Sequence, residues 1–210
     1  MTNDSAVIRI LAVDDHPLLR AGVAALIRTQ PDLTIVGEAS SGREAIESFR
    51  KLRPDVTLMD LQMSDMDGID AILAIRSEFP NARVIVLTTY EGDALAYRAL
   101  KAGARAYILE GMVRKDLLTA IRSVHAGQKH IQSEVAVQLA DHAADDPLTT
   151  REVEVLSMIA EGNSNKIIAD RLCITEHTVK GHVKSILSKL GASDRTHAVT
   201  LGLKRGILQL

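Results

Sequence analysis

The stretch "DVTLMDLQMSDMDG", residues 55–68, decides how the chain is read. Val56, Leu58 and Met59 lie in a short, mostly apolar run of the kind that forms a buried strand. The run stops on Asp60, and a carboxylate at the end of a buried strand costs free energy unless something pairs with it. A loop and then a helical pattern over 67–78 follow.

The same alternation extends on both sides. Apolar runs rich in Val and Ile, as buried parallel strands are, occur at 7–13, 33–39, 56–59, 84–87 and 106–109. Helical stretches fill 17–29, 42–52, 67–78, 91–102 and 113–126. Pro17 suits a first helical position, and Ser41 or Gly42 can open the second helix. Gly103 and Gly127 stand where left-handed helix stops are expected. Five strand–helix units predict an α/β fold, a doubly wound five-stranded parallel sheet covered on both faces. In such sheets the functional crevice lies at the carboxyl ends of the strands. Three of those ends are polar: Asp14 and Asp15 after the first strand, Asp60 after the third, Thr88 after the fourth.

From about residue 147 the strand pattern ends. "LTTREVEVLSMIAEG" reads as a helix with Thr149 as N-cap and Glu152 three residues on, a capping box. "NSNKIIADRL", a break at "CIT", "EHTVKGHVKSILSKL" and "SDRTHAVTLGLKRGIL" complete a small all-α domain of four short helices. Between the halves, "QSEVAVQLADHAADDP" can form a linker helix ending in a flexible joint. The divisions expected are therefore 1–127, a partly helical linker over 128–146, and 147–210.

Composition narrows the function classes. Three Tyr and two Phe are the only aromatic residues, which disfavours sheet-type readers of single strands that stack bases on aromatic rings. No apolar run reaches the roughly 18 residues of a membrane span, and the first residues lack a signal-peptide layout. Cys173 is alone, so no intrachain disulfide is possible and a reducing cytoplasm is the expected compartment. Residues 1–146 hold 16 Lys and Arg against 21 Asp and Glu, whereas 147–210 hold 9 against 6. A basic tail suggests a polyanionic partner.

Three carboxylates at adjacent strand ends repel one another, and a hard cation with oxygen ligands, Mg²⁺, is the ordinary remedy. With a metal in place Asp60 becomes a usable nucleophile toward a phosphoryl group, and Thr88 can donate to a phosphoryl oxygen. The plain alternative is a strand-end carboxylate that caps the next helix.

Residues 8–127 resemble the receiver domain of a two-component response regulator, a flavodoxin-like fold, through "VDDHPLLRAG" (13–22), "DVTLMDLQMSDMDG", "VIVLTTY" (84–90) and "GARAYIL" (103–109). The resemblance implies that Asp60 accepts phosphate from a sensor histidine kinase. It implies Mg²⁺ binding by Asp15, Asp60 and the Gln62 backbone carbonyl, with Asp14 acting through water. It makes Thr88 and Tyr107 the pair that rearranges on phosphorylation. Two positions depart from the family pattern. Ser64 stands where a proline is usual, and Glu110 replaces a lysine that contacts the phosphoryl oxygen. An anion there removes an attraction and adds a repulsion.

In "EHTVKGHVKSILSKL", Val179, Val183, Ile186 and Leu190 share one helical face, and His177, Lys180, Gly181, Lys184 and Ser188 the other. One face can pack while the other enters a major groove. Residues 147–206 resemble the LuxR-type helix-turn-helix of the NarL/FixJ regulators. That implies base-facing positions for Lys180, Gly181 and Lys184, and phosphate contacts for Asn165, Lys166, Thr175 and His177. Met158, Ile159, Ile168, Leu172 and Cys173 read as core, and the seven histidines show no metal-ligand spacing.

The chain is thus expected to be a non-enzymatic transcription regulator that binds double-stranded promoter DNA as a homodimer, with RNA polymerase as a further partner and no membrane contact. The alternative of the same fold is a regulator largely independent of phosphorylation through Glu110. An aspartyl-phosphate hydrolase is disfavoured, because such enzymes typically need a second Asp where this chain has Gln62.

Overall fold

The computed structural model describes residues 7–88, 93–109, 113–131, 135–137 and 146–208. The chain divides into two compact units, one formed by most of the residues up to Ala136 and the other containing everything from Val137 onward.

The first unit alternates β1 (Ile8–Val13), α1 (Pro17–Arg28), β2 (Leu33–Ala39), α2 (Gly42–Leu52), β3 (Val56–Met59), α3 (Gly68–Glu78), β4 (Val84–Thr88), α4 (Asp93–Ala102), β5 (Ala106–Leu109) and α5 (Val113–His125). Among the described residues every strand pairing is parallel, and with β6 at His130–Ile131 the order is β2-β1-β3-β4-β5-β6. The sequence pattern gives five strands. The sixth, β6 (His130–Ile131), is a two-residue addition to β5, too short for any periodicity to announce. Side chains alternate across the sheet. One face packs Ile8, Ile10, Leu58, Ile85 and Ile108 against Val23 and Ile27 of α1 and Leu117, Ile121 and Val124 of α5. The core is aliphatic, as the composition requires. Both Phe residues are spent joining α2 to α3, where the rings of Phe49 and Phe79 lie 5.2 Å apart and the Arg53 guanidinium sits 3.9 Å over Phe79.

Local signals set the helix ends. Ser41 caps α2 by accepting from Glu44 N–H, and Gly103 and Gly127 take positive φ of 106° and 88°. Gly68 is required for another reason. A Cβ there would lie 2.1 Å from the Asp60 carbonyl oxygen and 2.8 Å from Leu61 Cα, so α3 starts hard against the acidic strand end.

The second unit holds α6 (Thr150–Ala160), α7 (Asn165–Leu172), α8 (Glu176–Leu190) and α9 (Arg195–Lys204). Thr149 and Glu152 form the expected capping box. Val155, Leu156, Ile168, Val179, Ile186 and Ala198 centre its core, with Val199 and Leu203 packed on the rim. Met158, Ile159, Ile168 and Leu172 join that core as expected. Cys173 does not: it is exposed, in the left-handed conformation (φ 53°) that stops α7 and opens the turn. The C-cap position, rather than apolarity, decides its environment.

Candidate functional site

Register builds the acidic centre. On β1 and β3, Val13 pairs with Met59, so the next residues, Asp14 and Asp60, leave the sheet side by side. Asp60 N–H donates to the Val13 carbonyl at 2.9 Å, which holds the two strand ends together. Asp14 and Asp60 are only 6% and 7% exposed. One ligand atom from each of Asp14, Asp15, His16 and Asp60 lies within 4.8 Å of all the others.

Burial, more than any other cause, raises the Asp14 pKa; the His16 N–H donating to its Oδ1 at 2.7 Å works against that shift, and the Asp15 charge adds to it. Asp15 Oδ1 is buried without a hydrogen-bond donor; the His16 ring nitrogen lies 2.9 Å away but out of hydrogen-bonding line. Arg20 fixes the loop behind the cluster by donating to the Asp14 carbonyl and to Glu38.

His16 is the residue that sequence reasoning missed. Spacing among histidines shows nothing, and the correction comes from contact. His16 follows Asp14 and Asp15 directly, and its largely exposed ring turns back over both carboxylates. Asp65 was also missed. Its carboxylate accepts from the N–H groups of Gly42 (3.0 Å) and Arg43 (3.4 Å), tying the loop after Asp60 to the start of α2.

Thr88 ends β4 fully buried, two residues beyond Val86, which pairs with Tyr107 of β5. Tyr107 is 1% exposed. Burial first, and the Asp60 charge second, push its phenol well above the ordinary value, so the ring senses the acidic strand end. Gln62 is half-buried in the loop after Asp60. Glu110 lies outside the described residues.

The second constellation lies on α7 and α8. Ser164 and Thr175 cap the two helices, accepting from the N–H groups of Ile167 and Thr178. The Thr175 hydroxyl is therefore already engaged by its own helix. Asn165 is half-buried at the start of α7 and Lys166 is exposed beside it. His177, Lys180, Gly181 and Lys184 form one exposed face of α8, opposite buried Val179, Ile186 and Leu190. Lys189 belongs to the packed side, where its ammonium donates to Glu152 at 3.0 Å and to the Pro147 carbonyl at 3.1 Å.

Comparison with known proteins matches each half of the chain to a family. Residues 10–122 match the family described as response regulator receiver domain, and residues 146–201 that of bacterial regulatory proteins, luxR family. The chain belongs to the NarL/FixJ family of two-component response regulators. It is a DNA-binding transcriptional response regulator, and its family is not one of enzymes. The regulator is 42% identical over 207 residues to the response regulator protein VraR of Staphylococcus aureus, covering 96% of this chain and 99% of the relative. It is 41% identical to VraR of Staphylococcus saprophyticus with the same coverage. Among solved structures it resembles RcsB of Salmonella enterica serovar Typhimurium bound to a promoter in the presence of a phosphomimetic. That match has a TM-score of 0.73 and 27% identity, covering 95% of this chain and 99% of the other. A structure of two RcsB dimers bound to two parallel DNAs matches with a TM-score of 0.70 and 26% identity, covering 94% and 98%. Among the described residues of the regulator no helix is long and apolar enough to cross a membrane.

Proposed function

We propose that Asp60 accepts phosphate from a sensor histidine kinase and that this event governs binding of a homodimer to double-stranded promoter DNA in the cytoplasm. The observation that carries the reading is the β1–β3 register, which sets buried Asp14 and Asp60 side by side with half-buried Asp15 next to them. Residues 1–127 act as the receiver, 128–146 as linker and 147–210 as the DNA-binding domain.

The cluster fits a divalent cation. A buried Asp15 oxygen without a donor and an Asp14 carboxyl whose pKa is raised by burial are both costs that a cation relieves. Carboxylate oxygens and a backbone carbonyl suit Mg²⁺. Asp15, Asp60 and the Gln62 carbonyl would hold it, with Asp14 acting through water. Bound there, it would offset charge on the transferring phosphoryl oxygens. An Asp60 carboxylate oxygen forms the new bond to phosphorus as the phosphorus–nitrogen bond of the kinase's phosphohistidine breaks. The departing imidazole keeps the electron pair and takes up a proton. Thr88 supplies a hydroxyl to a phosphoryl oxygen, and Tyr107, already buried and within the field of Asp60, follows its movement.

On DNA, Lys180, Gly181 and Lys184 face base edges, while Asn165, Lys166, Thr175 and His177 approach phosphates. Two half-sites read by two chains suit a helix-turn-helix of this type, and dimers on DNA are described for RcsB. RNA polymerase is the further partner a promoter-bound regulator would meet. Glu110, an anion where receivers carry a lysine, supports a weaker dependence on phosphate than is usual.

Incubation with acetyl phosphate and Mg²⁺, followed by intact mass, tests the acceptor. Wild type should gain one phosphoryl group only when the cation is present, and Asp60→Ala should gain none. Modification of Asp60→Ala would overturn the assignment.

A further inference from the structure

Glu176 is the first residue of α8 and its only acidic one. It stands at the helix end whose residues reach base edges when such a helix enters a major groove. Its carboxylate lies 3.7 Å from the Lys180 ammonium one turn on, and the two side chains are 51% and 64% exposed. Lys166 and Lys184 have no such partner among the described residues, so of the three lysines assigned to DNA only Lys180 starts out paired. Beside them Gly181 leaves the face open, with no atom within 4 Å of where a Cβ would stand.

An acid in the first turn of a helix is favoured by the helix dipole, and that would explain Glu176 on an ordinary surface. On a face that meets a polyanion the same carboxylate is repelled by phosphates and occupies a cation meant for the bases. It is tolerated there if some base edge rewards it. In the major groove cytosine offers an isolated N4 amino donor, and the guanine paired with it offers the O6 and N7 acceptors. Adenine sets its N7 acceptor beside its amino group, which a carboxylate meets unfavourably.

We propose that Glu176 is a specificity-determining residue and that the Glu176–Lys180 pair reads a cytosine–guanine base pair. The carboxylate accepts from cytosine N4 and the ammonium donates to guanine. On any other base pair Lys180 stays engaged with Glu176, and the uncompensated carboxylate weakens binding. The inference rests on the reading of α8 as the base-facing helix.

The test uses the full chain as wild type, Glu176→Ala, Glu176→Gln and Lys184→Ala. Each protein selects its sites from a randomised duplex pool, and binding to selected and random duplexes is then measured by anisotropy over a range of salt. Glu176→Ala should bind random DNA several-fold more tightly, with a salt slope steeper by about one. It should also lose the cytosine preference at one position of each half-site. Replacing that base pair should cost wild type about 5- to 150-fold and the Ala variant little. Glu176→Gln keeps an acceptor oxygen, so it should retain part of the cytosine preference while binding random DNA like the Ala variant. An unchanged selected sequence in Glu176→Ala, with random DNA bound no more tightly, would leave Glu176 only its role at the helix end. Equal weakening of selected and random DNA by Lys184→Ala would instead show that the base-facing reading of α8 is wrong. Loss of discrimination in Lys184→Ala with no change in Glu176→Ala would sink the role of Glu176 alone.

Discussion

Replacing Glu152 by alanine removes the group that joins α6 to α8. Its Oε1 accepts from the Ser185 hydroxyl at 2.6 Å, and its Oε2 from the Thr149 N–H at 2.7 Å and the Lys189 ammonium at 3.0 Å. The residue is 4% exposed. Burial alone would raise its pKa, but donation by Ser185, Thr149 and Lys189 outweighs burial and lowers it to about 2. Removing one partner of a buried ion pair costs about 3–5 kcal/mol. Here Lys189 keeps the Pro147 carbonyl and Asp146 as partners, so the loss should fall near the lower end, about 3 kcal/mol, including about 1 for the cap. For a domain of this size that lowers the melting temperature by roughly 12–24 °C. Glu152→Gln keeps the shape and loses the charge, and should cost about 1–2 kcal/mol.

The same network fixes a pH dependence. The folded pKa lies below the unfolded value of 4.5, so the stabilisation is complete above that value and is lost as pH falls through about 2. Converted at about 1.4 kcal/mol per unit the shift amounts to roughly 3 kcal/mol, and solvent screening on the Asp146 side reduces it to about 2. Urea unfolding followed by circular dichroism at pH 7 and pH 3 measures both quantities. The wild type should exceed Glu152→Ala by about 3 kcal/mol at pH 7 and by clearly less at pH 3. Equal stability at pH 7, or a gap that does not narrow with acid, would refute the reasoning.

Three further outcomes are expected. Gly68→Ala sets a Cβ against the backbone of Asp60 and Leu61, which cannot swing aside, and should cost about 1–3 kcal/mol in stability and slow phosphorylation by acetyl phosphate; unchanged rate and melting would contradict the close approach. Lys184→Ala should reduce discrimination between selected and random DNA by about 1–3 kcal/mol, whereas Lys166→Ala should weaken both alike and flatten the salt slope by about one, as filter binding across salt will report. Glu110→Lys should raise both the extent of phosphorylation and its effect on DNA affinity, since a unit charge pair 4 Å apart is worth about 4 kcal/mol at an effective dielectric of ~20. Efficient phosphorylation of wild type, unchanged in the variant, would mean that Glu110 does not face the phosphoryl group.

Sequence carried what is periodic or locally capped. The five longer strands, the helices between them, the Thr149–Glu152 box and the left-handed stops at Gly103 and Gly127 all rest on patterns within a few residues. It did not carry what depends on which distant groups meet. That Glu152 also holds Ser185 and Lys189, 33 and 37 residues away, is invisible to spacing. So is the hold of Asp65 on the start of α2, 23 residues back. His16 adjoins two aspartates in the chain, yet its role in the cluster appears only when the β1–α1 loop folds its ring back over them. Cys173 is exposed despite its apolar character because its place in a left-handed helix stop sets its environment.

The carboxylates themselves separate structure from function. Glu152 has donors for both oxygens from its own domain, and nothing outside the chain is needed to keep it buried. Asp15 is the opposite case, with a buried oxygen that makes no hydrogen bond although the His16 ring nitrogen lies 2.9 Å away, beside an Asp14 whose burial works against its charge. Burying carboxylates at adjacent strand ends in this way costs free energy that a bound cation would offset. Glu176 lies between these extremes: exposed, half satisfied by one exposed lysine, and on the face of α8 proposed to meet DNA. An anion loosely paired in that position can be released only by a partner that replaces both halves of the pair, and in the major groove a cytosine–guanine pair offers both.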